Sequence, residues 1–512
     1  MTAALHAVDY AILGAYLVLT ILVCIAVSRK SPDADELFLA GRSLGWGVVG
    51  LSLFASNISS TTLIGLPGAA WQSGIAVANY EWMAALVLLF STFAVVPVFL
   101  SNRITTVPEL LERRFDGRLR KYLSSVTVFL SIFLDTAGSL YAGAIVLMMF
   151  VPGLELWSTC FAIALFTGLY TAAGGLRAVA YTDVLQSSVL LVGSAVLAWI
   201  VFGQFDHSWS AVTEALGEDR LSLIRPLDDP NLPWLGTLIG LPILGFYYWT
   251  MNQYVSQRLL GARGMKHAGW GAILAAVLKL LPLFIMVLPG AMAAVLLPDL
   301  ARADSVFPTL IATYAPVGIA GMIIAGLLAA IMSSIDSALN SASTLITLDF
   351  IDDRERDSER LARIGRVIVL VLVGVAALWA PMIDRFPGLF SYLQQGFTYV
   401  ASPLVGTFAV AMLSRKVGAR AALWGTGFGH LVSAVWFVAS LAGWITLHFT
   451  IAAGILLAVT VVACHVAAAV IDEEVSAAGI AAVRRRDPVP RSVALGAAAT
   501  ALVTLAVVLA FW

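Results

Sequence analysis

The sequence predicts an all-α integral membrane protein with about fourteen transmembrane helices, and three observations carry that prediction. Of its 512 residues, 60% are hydrophobic and only 12% charged, against about 45–50% and 25% in soluble domains. That much apolar surface cannot be folded into one soluble core, because such cores stop growing beyond roughly 250–300 residues. Apolar runs of the roughly 20 residues that a bilayer requires recur along the whole chain. Lysine and arginine gather in alternate loops, as the positive-inside rule expects of a polytopic protein. Net charge is −1, which leaves no basic surface for nucleic acid. Three cysteines (Cys24, Cys160, Cys464), all within apolar runs, exclude a disulfide scaffold and a Cys-rich metal site.

Taken in order, the first run, 7–28, lacks the short apolar core and cleavage site of a signal peptide, and Arg29-Lys30 follow it. It reads as a retained anchor that forms, with an inner loop, the segment 1–45. Runs at 46–70, 76–99, 121–150, 157–173 and 180–203 make a five-helix block, 46–203. The external loop 204–233 holds an amphipathic helix near Ser210–Leu216. Runs at 234–258, 268–298, 316–347, 364–382 and 387–412 make a second block, 234–412, and runs at 419–443, 448–471 and 491–511 close the chain as 413–512.

With the N-terminus outside, 25 of the 30 Lys and Arg fall on the inner side, 4 on the outer, and Lys279 within a run. Both termini are therefore expected outside a plasma (inner) membrane. Arg258, Arg263 and Lys266 count as one inner loop, so no arginine is expected at mid-membrane depth. The triple arginine Arg484–Arg486 reads as a topology and lipid-surface feature. No H-E-x-x-H, G-x-S-x-G or P-loop motif occurs, so an enzyme is not expected and no catalytic residue is assigned.

The informative residues are those that cost free energy in lipid. Glu81, Asp135, Asp183, Lys279 and Asp336 are ionisable and lie within apolar runs, where such groups mark a pathway or pair with one another. Glu81 with Lys279 is the obvious structural pair. The second run has a polar middle, Ala55 to Thr62, that favours unwound backbone, and such backbone survives only against a buried or watery cavity. The seventh run has Tyr247-Tyr248-Trp249-Thr250 followed by Asn252-Gln253. These two runs are five apart, so the blocks have opposite orientation, and paired broken helices in inverted repeats point to a secondary-transporter site. Hydroxyl-rich segments also serve as helix-packing contacts. On the ninth run Ser333, Asp336 and Ser337 share a helix face with Ser334 alongside, an oxygen set suited to a hard cation such as Na⁺.

Together these residues resemble the sodium/solute symporter family, and within it the sodium–sugar cotransporters. The resemblance rests on Ala55 to Ser59, Tyr80-Glu81-Trp82, Tyr170 to Leu176, Tyr181 to Gln186, Tyr247 to Trp249 and Ala330 to Thr344. It implies a five-plus-five inverted repeat of the leucine-transporter type and the import of a neutral, glucose- or galactose-like sugar with sodium. It places Na⁺ at carbonyl oxygens of Ala55, Ile58 and Ala330 and hydroxyls of Ser333 and Ser334. Asp183 matches a motif aspartate near that site, either backing the ligands or serving a second ion, for which Asp336 and Ser337 are further candidates. The sugar would meet Glu81, Lys279 and Gln394, with Tyr248 stacking on its ring, Asn57 bonding Tyr248, and Trp249, Thr62 and Asp135 alongside. Leu66, Tyr80 and Phe390 match the outer gate, with Tyr248 the inner one. Thr62, Gly245, Ala84, Asp135 and Asp336 depart from the sugar-cotransporter pattern, which leaves the sugar open. The same fold carrying myo-inositol, sialate or another solute, coupled to Na⁺ or protons, is the alternative. A transporter-like membrane sensor is the alternative from another class, and no signalling module is expected after Trp512. The partners expected are the sugar, sodium and the bilayer, with no nucleic acid and no obligate protein.

Overall fold

The computed structural model describes residues 5–27, 34–58, 60–351, 358–385 and 389–512, with backbone alone at 27, 34, 35, 60, 61, 170, 173–175, 358, 385, 390 and 391. Every regular element among them is helical, apart from one isolated bridge between Leu44 and Ala262. Backbone groups in hydrocarbon must find partners within the protein, and a helix supplies them within one segment.

In chain order, α1 (Ala7–Val27) precedes a broken pair, α2 (Trp46–Asn57) and α3 (Ser60–Ser73), and then α4 (Asn79–Ala94). A π-helical turn at Ser131–Thr136 joins α5 (Gly117–Leu130) to α6 (Ala137–Phe150), and α7 (Leu156–Gly203) takes in both runs expected at 157–173 and 180–203. The loop helix α8 (Trp209–Leu216) falls where an amphipathic helix was expected. A second broken pair, α9 (Trp234–Phe246) and α10 (Gln253–Leu260), flanks a π-helical turn at Tyr247–Met251. Then come α11 (Met265–Leu278), α12 (Ile319–Ile346), α13 (Ser358–Trp379) and α14 (Leu389–Leu413). The chain closes with α15 (Ala419–Leu441), α16 (Phe449–Val470), the short α17 (Ala477–Arg484) and α18 (Arg491–Ala510).

Among the described residues eleven helices are long and apolar enough to cross a membrane, or twelve with the bent pair near α2 and α3 taken as one span. Of the two other expected runs, 157–173 lies within the continuous helix α7, and 234–258 is broken at Asn252.

Both interruptions follow from local chemistry. Helix α2 stops at Asn57 because Ile58 takes a non-helical conformation (φ −76°, ψ 78°) at the start of the Ser/Thr stretch. The halves on either side of this break are inclined by 55°. Asn252 leaves the helix (φ −66°, ψ 124°), and its Oδ1 accepts the Tyr254 amide at 3.2 Å, capping α10. Side-chain oxygens that compete for backbone amides in this way are what end a helix.

Helix α12 is buried along nearly its whole length and packs most extensively on α7. Gly326 lies against Leu190 and Gly193 against Ile323, so small residues on both helices allow close approach. Helix α1 is more than an anchor. Its buried Asp9 accepts the amides of Gly318 and Gly321 at 2.7 and 2.8 Å, covering donors left open at the start of α12. A side chain at Gly321 would collide with Asp9, its Cβ lying 2.6 Å from the Asp9 Cα.

Candidate functional site

A cavity of about 140 Å³ lies where the two broken pairs meet α4, α6, α12 and α14. The break after α2 presents Ser56 and Asn57, and α3 adds Thr62 and Leu66. Helix α4 starts with Tyr80, Glu81 and Ala84 on this wall, while the first π-helical turn and α6 add Leu134, Asp135 and Ser139. From the other broken pair come Leu241, Leu244 and Gly245, then Tyr248, Trp249 and Tyr254. Ser334 of α12 and Leu393, Gln394 and Phe397 of α14 complete it. A π-helical turn carries one extra residue, which re-aims side chains, and both turns here feed this cavity.

The groups are mostly neutral and directional. Glu81 is paired with Lys279, both buried, and the Lys279 ammonium lies 5.3 Å from the centre of the Trp249 ring. Lys279 thus meets Glu81 behind the wall. The Tyr248 hydroxyl accepts from that of Tyr254, and its ring lies 5.3, 5.6 and 6.4 Å from those of Trp249, Tyr254 and Phe397. Asn57 also engages the Tyr248 hydroxyl through its side chain. Thr62 donates to the Asn57 carbonyl at 3.1 Å. Among the described residues, two buried acceptors on the wall, Asn57 Oδ1 and Asp135 Oδ2, have no hydrogen-bond partner. Orphaned acceptors of this kind are costly unless a ligand or water fills them.

Tyr80 also lines a second cavity of about 550 Å³, on the side of the loop 204–233, with Gln72, Asn231, Arg302, Asp304, Gln395 and His448 on its walls. Burial raises the Asp304 carboxyl above its ordinary range, opposed by nearby Arg302. Phe390, expected beside Tyr80, lies outside the described side chains.

Below the break, α2 and α12 touch, a contact the sequence left open. Ser56 and Ser337 hydroxyls are 3.2 Å apart. Asp183 of α7 is the hub: it accepts from Ser52 and Ser333 at 2.5 Å each, and from Arg258 Nη2 at 2.9 Å. Arg258 also donates to Ser52 at 2.6 Å and to Ser337 at 2.5 Å, and is fully buried. This corrects the assignment of Arg258 to an inner loop, since it lies on helix α10 with its side chain buried. A membrane depth counted from loop ends misses it because α10 is a helix after a break, which turns Arg258 back into the protein.

The five expected sodium ligands are placed as follows. Ala55 and Ile58 are buried at the end of α2. Ser334 donates to the Ala330 carbonyl at 2.9 Å. Ser333 gives its proton to Asp183 at 2.5 Å, so its oxygen still has acceptor lone pairs, which suits a cation. Ser337 donates to the Ser333 carbonyl at 2.5 Å and lies 3.2 Å from an Asp336 oxygen. Among the described residues no group of three or more His, Cys, Asp or Glu could hold a metal, so hydroxyls and carbonyls are the donors on offer. Sequence reasoning missed Ser52, Ser56, Ser139, Tyr254, Arg258 and Phe397. The signal available for the first was its i, i+4 spacing from Ser56.

The sodium:solute symporter family profile matches residues 37–429. The chain belongs to that family. The symporter is 33% identical to sodium/glucose cotransporter 1 of Sus scrofa over 472 residues, covering 83% of this chain and 71% of that one. It is 35% identical to the sodium/mannose cotransporter of Bos taurus (84% and 79% covered) and 34% to sodium/myo-inositol cotransporter 2 of Oryctolagus cuniculus (83% and 69%). A substrate-bound, outward-open structure of a Na⁺-coupled sialic acid symporter superposes with TM-score 0.81 over 91% of this chain and 98% of that one, at 24% identity. Mhp1, a nucleobase-cation-symport-1 transporter, gives TM-score 0.58 at 16% identity, with 89% and 99% covered. These two establish the fold alone. The protein is a multi-pass membrane transporter that couples a small solute to sodium, and the family and its relatives are transporters.

Proposed function

We propose that the symporter imports a neutral sugar of the glucose or galactose type by alternating access. One observation carries this reading. The cavity wall offers orphaned acceptors at Asn57 and Asp135, the two-way amide of Gln394 and an aromatic face at Tyr248, while its Glu81 charge is already countered by Lys279. A polyol needs several directional partners and an aromatic surface for its C–H groups, and among the described residues no arginine lines the wall to hold a carboxylate. The glucose, mannose and inositol cotransporters among its relatives support the class of solute.

In this reading Na⁺ sits between the Ala55 and Ile58 carbonyls and the Ser333 and Ser334 hydroxyls with Ala330, and Asp183, Asp336 and Ser337 lie toward a second ion. Leu66 and Tyr80, with Phe390, close the outer side, where the larger cavity is the vestibule; Tyr248 closes the inner side. The fourteen segments form the inverted blocks 46–203 and 234–412, between the leading segment 1–45, the loop 204–233 and the trailing helices 413–512. Both termini are outside. Sodium can drive uptake only by its gradient, about 2.3 kcal/mol per charge per 100 mV plus the concentration term.

The test is uptake of labelled glucose, galactose, myo-inositol and sialate into proteoliposomes under Na⁺, K⁺ or proton gradients. Accumulation of one neutral sugar only with Na⁺ is the expected result. Sialate uptake, or driving by protons alone, would overturn the reading.

A further inference from the structure

We propose that the membrane border beside both broken helices is a binding surface for anionic phospholipid headgroups. Four chain segments meet there. Arg42 donates to the Arg103 carbonyl at 3.2 Å, and Arg263 to the Ser43 carbonyl at 2.8 Å. Backbone bonds join Leu44 to Gly261 and Arg263. Ser101 donates to the Arg485 carbonyl at 2.7 Å, Asn102 to that of Ala482 at 2.8 Å, and the Asp487 amide to that of Pro97 at 3.1 Å. Val493 packs on Gly269, which brings the start of α18 beside Lys266 and His267.

These segments (42–46, 97–103, 261–267 and 484–491) hold eight Lys or Arg and a single carboxylate, Asp487, in a chain whose net charge is −1. Arg484, Arg485 and Arg486 are exposed, as are Arg103, Arg263, Lys266 and Arg491. The backbone contacts above spend carbonyls and amides, and leave the three consecutive guanidinia turned outward. Trp46, half exposed, stands at the head of α2 with its amide on His267 Nδ1 at 3.2 Å. Exposed tryptophan is the residue that settles at headgroup depth, and arginine forks match phosphate geometry. Positive charge, headgroup depth and a phosphate-matching donor set therefore coincide on one strip. The strip includes the first residue of α2 and the loop between α10 and α11, so a bound lipid would tether both broken pairs at one edge.

The experiment uses the purified full-length protein in neutral detergent, titrated with phosphatidylglycerol or phosphatidylcholine, with bound lipid counted by native mass spectrometry. Glycerol 3-phosphate serves as a soluble headgroup arm. The expected result is retention of phosphatidylglycerol over phosphatidylcholine by at least fivefold, lost in the combined Arg484→Gln, Arg485→Gln, Arg486→Gln variant. That preference should persist in an Arg113→Gln control, whose arginine is paired with Glu109. Unchanged preference in the triple variant overturns the proposal, as does equal retention of both lipids. Binding of glycerol 3-phosphate as tight as that of the lipid overturns the membrane source. Thermal unfolding of the triple variant checks that it is folded. The readout is lipid, not solute, so it is independent of the transport assay above.

Discussion

Arg258→Met should destabilise the symporter severely, and a second substitution should largely reverse the loss. Asp183 and Arg258 are 0% and 1% exposed at their side chains and 2.9 Å apart. Removing the guanidinium leaves a buried carboxylate held by the Ser52 and Ser333 hydroxyls, and removing one partner of a buried pair costs about 3–5 kcal/mol. Asp183→Asn leaves the guanidinium without a countercharge, at a similar cost. Each change is about two to four decades in the folding equilibrium, at roughly 1.4 kcal/mol per decade. The combined Asp183→Asn, Arg258→Met variant has no buried charge at this position and should lie about 1–3 kcal/mol below the native protein. A coupling of about 3 kcal/mol or more is therefore expected. The assay is reversible unfolding in mixed micelles, followed by circular dichroism without sodium, so that ion binding does not contribute to stability. If the two single effects add to within about 0.5 kcal/mol in the double variant, the pair does not act as a unit and the reasoning fails.

Ser333→Ala removes one proposed ligand oxygen and a hydroxyl donor to Asp183; the Na⁺ concentration for half-maximal uptake should rise about tenfold, and an unchanged sodium curve would count against this oxygen. Lys279→Met strips Glu81 of its partner at the cavity wall, so solute uptake should fall at least tenfold in proteoliposomes, with partial recovery when Glu81→Gln is added. Tyr80→Ala joins the two cavities that share this ring, and sodium-independent solute leak should appear in counterflow measurements. Asp9→Asn weakens the acceptor at the start of α12, a loss of about 1 kcal/mol by analogy with capping residues, readable as a lower Tm with the sodium curve little changed.

Much of this was readable from composition and spacing because the bilayer leaves few choices. A polar stretch inside an apolar run must break or be buried, and the Ser/Thr stretch after Asn57 and the Asn252 break both follow that rule. Nine of the residues proposed for the solute path, from Asn57 to Gln394, line one cavity although they come from both ends of the chain. Arg258 was not readable, because a cation near a run's end counts as a loop residue until the turn of α10 is known. Its companion Ser52 was missed for the same reason, since its role depends on where Arg258 points, and Tyr254 because its reach to Tyr248 depends on the break at Asn252. Hydropathy registers apolar length and not the break at Asn252 inside 234–258, which is why that break had to be seen in the structure.

The π-helical turn at Tyr247–Met251 has a consequence for how such a pocket can arise or be lost. A π-helical turn differs from an α-helical one by a single inserted residue, so one added codon in an unbroken helix is enough to swing the residues after it by about a quarter of a revolution. Deleting one residue from Tyr247–Met251 would undo that rotation and turn Tyr248 and Trp249 away from the cavity, while leaving the hydropathy of the segment almost unaltered. The solute preference of this chain therefore rests as much on helical phase as on the identity of its side chains, and length variation at Ser131–Thr136 or Tyr247–Met251 is where its specificity is most easily rewritten.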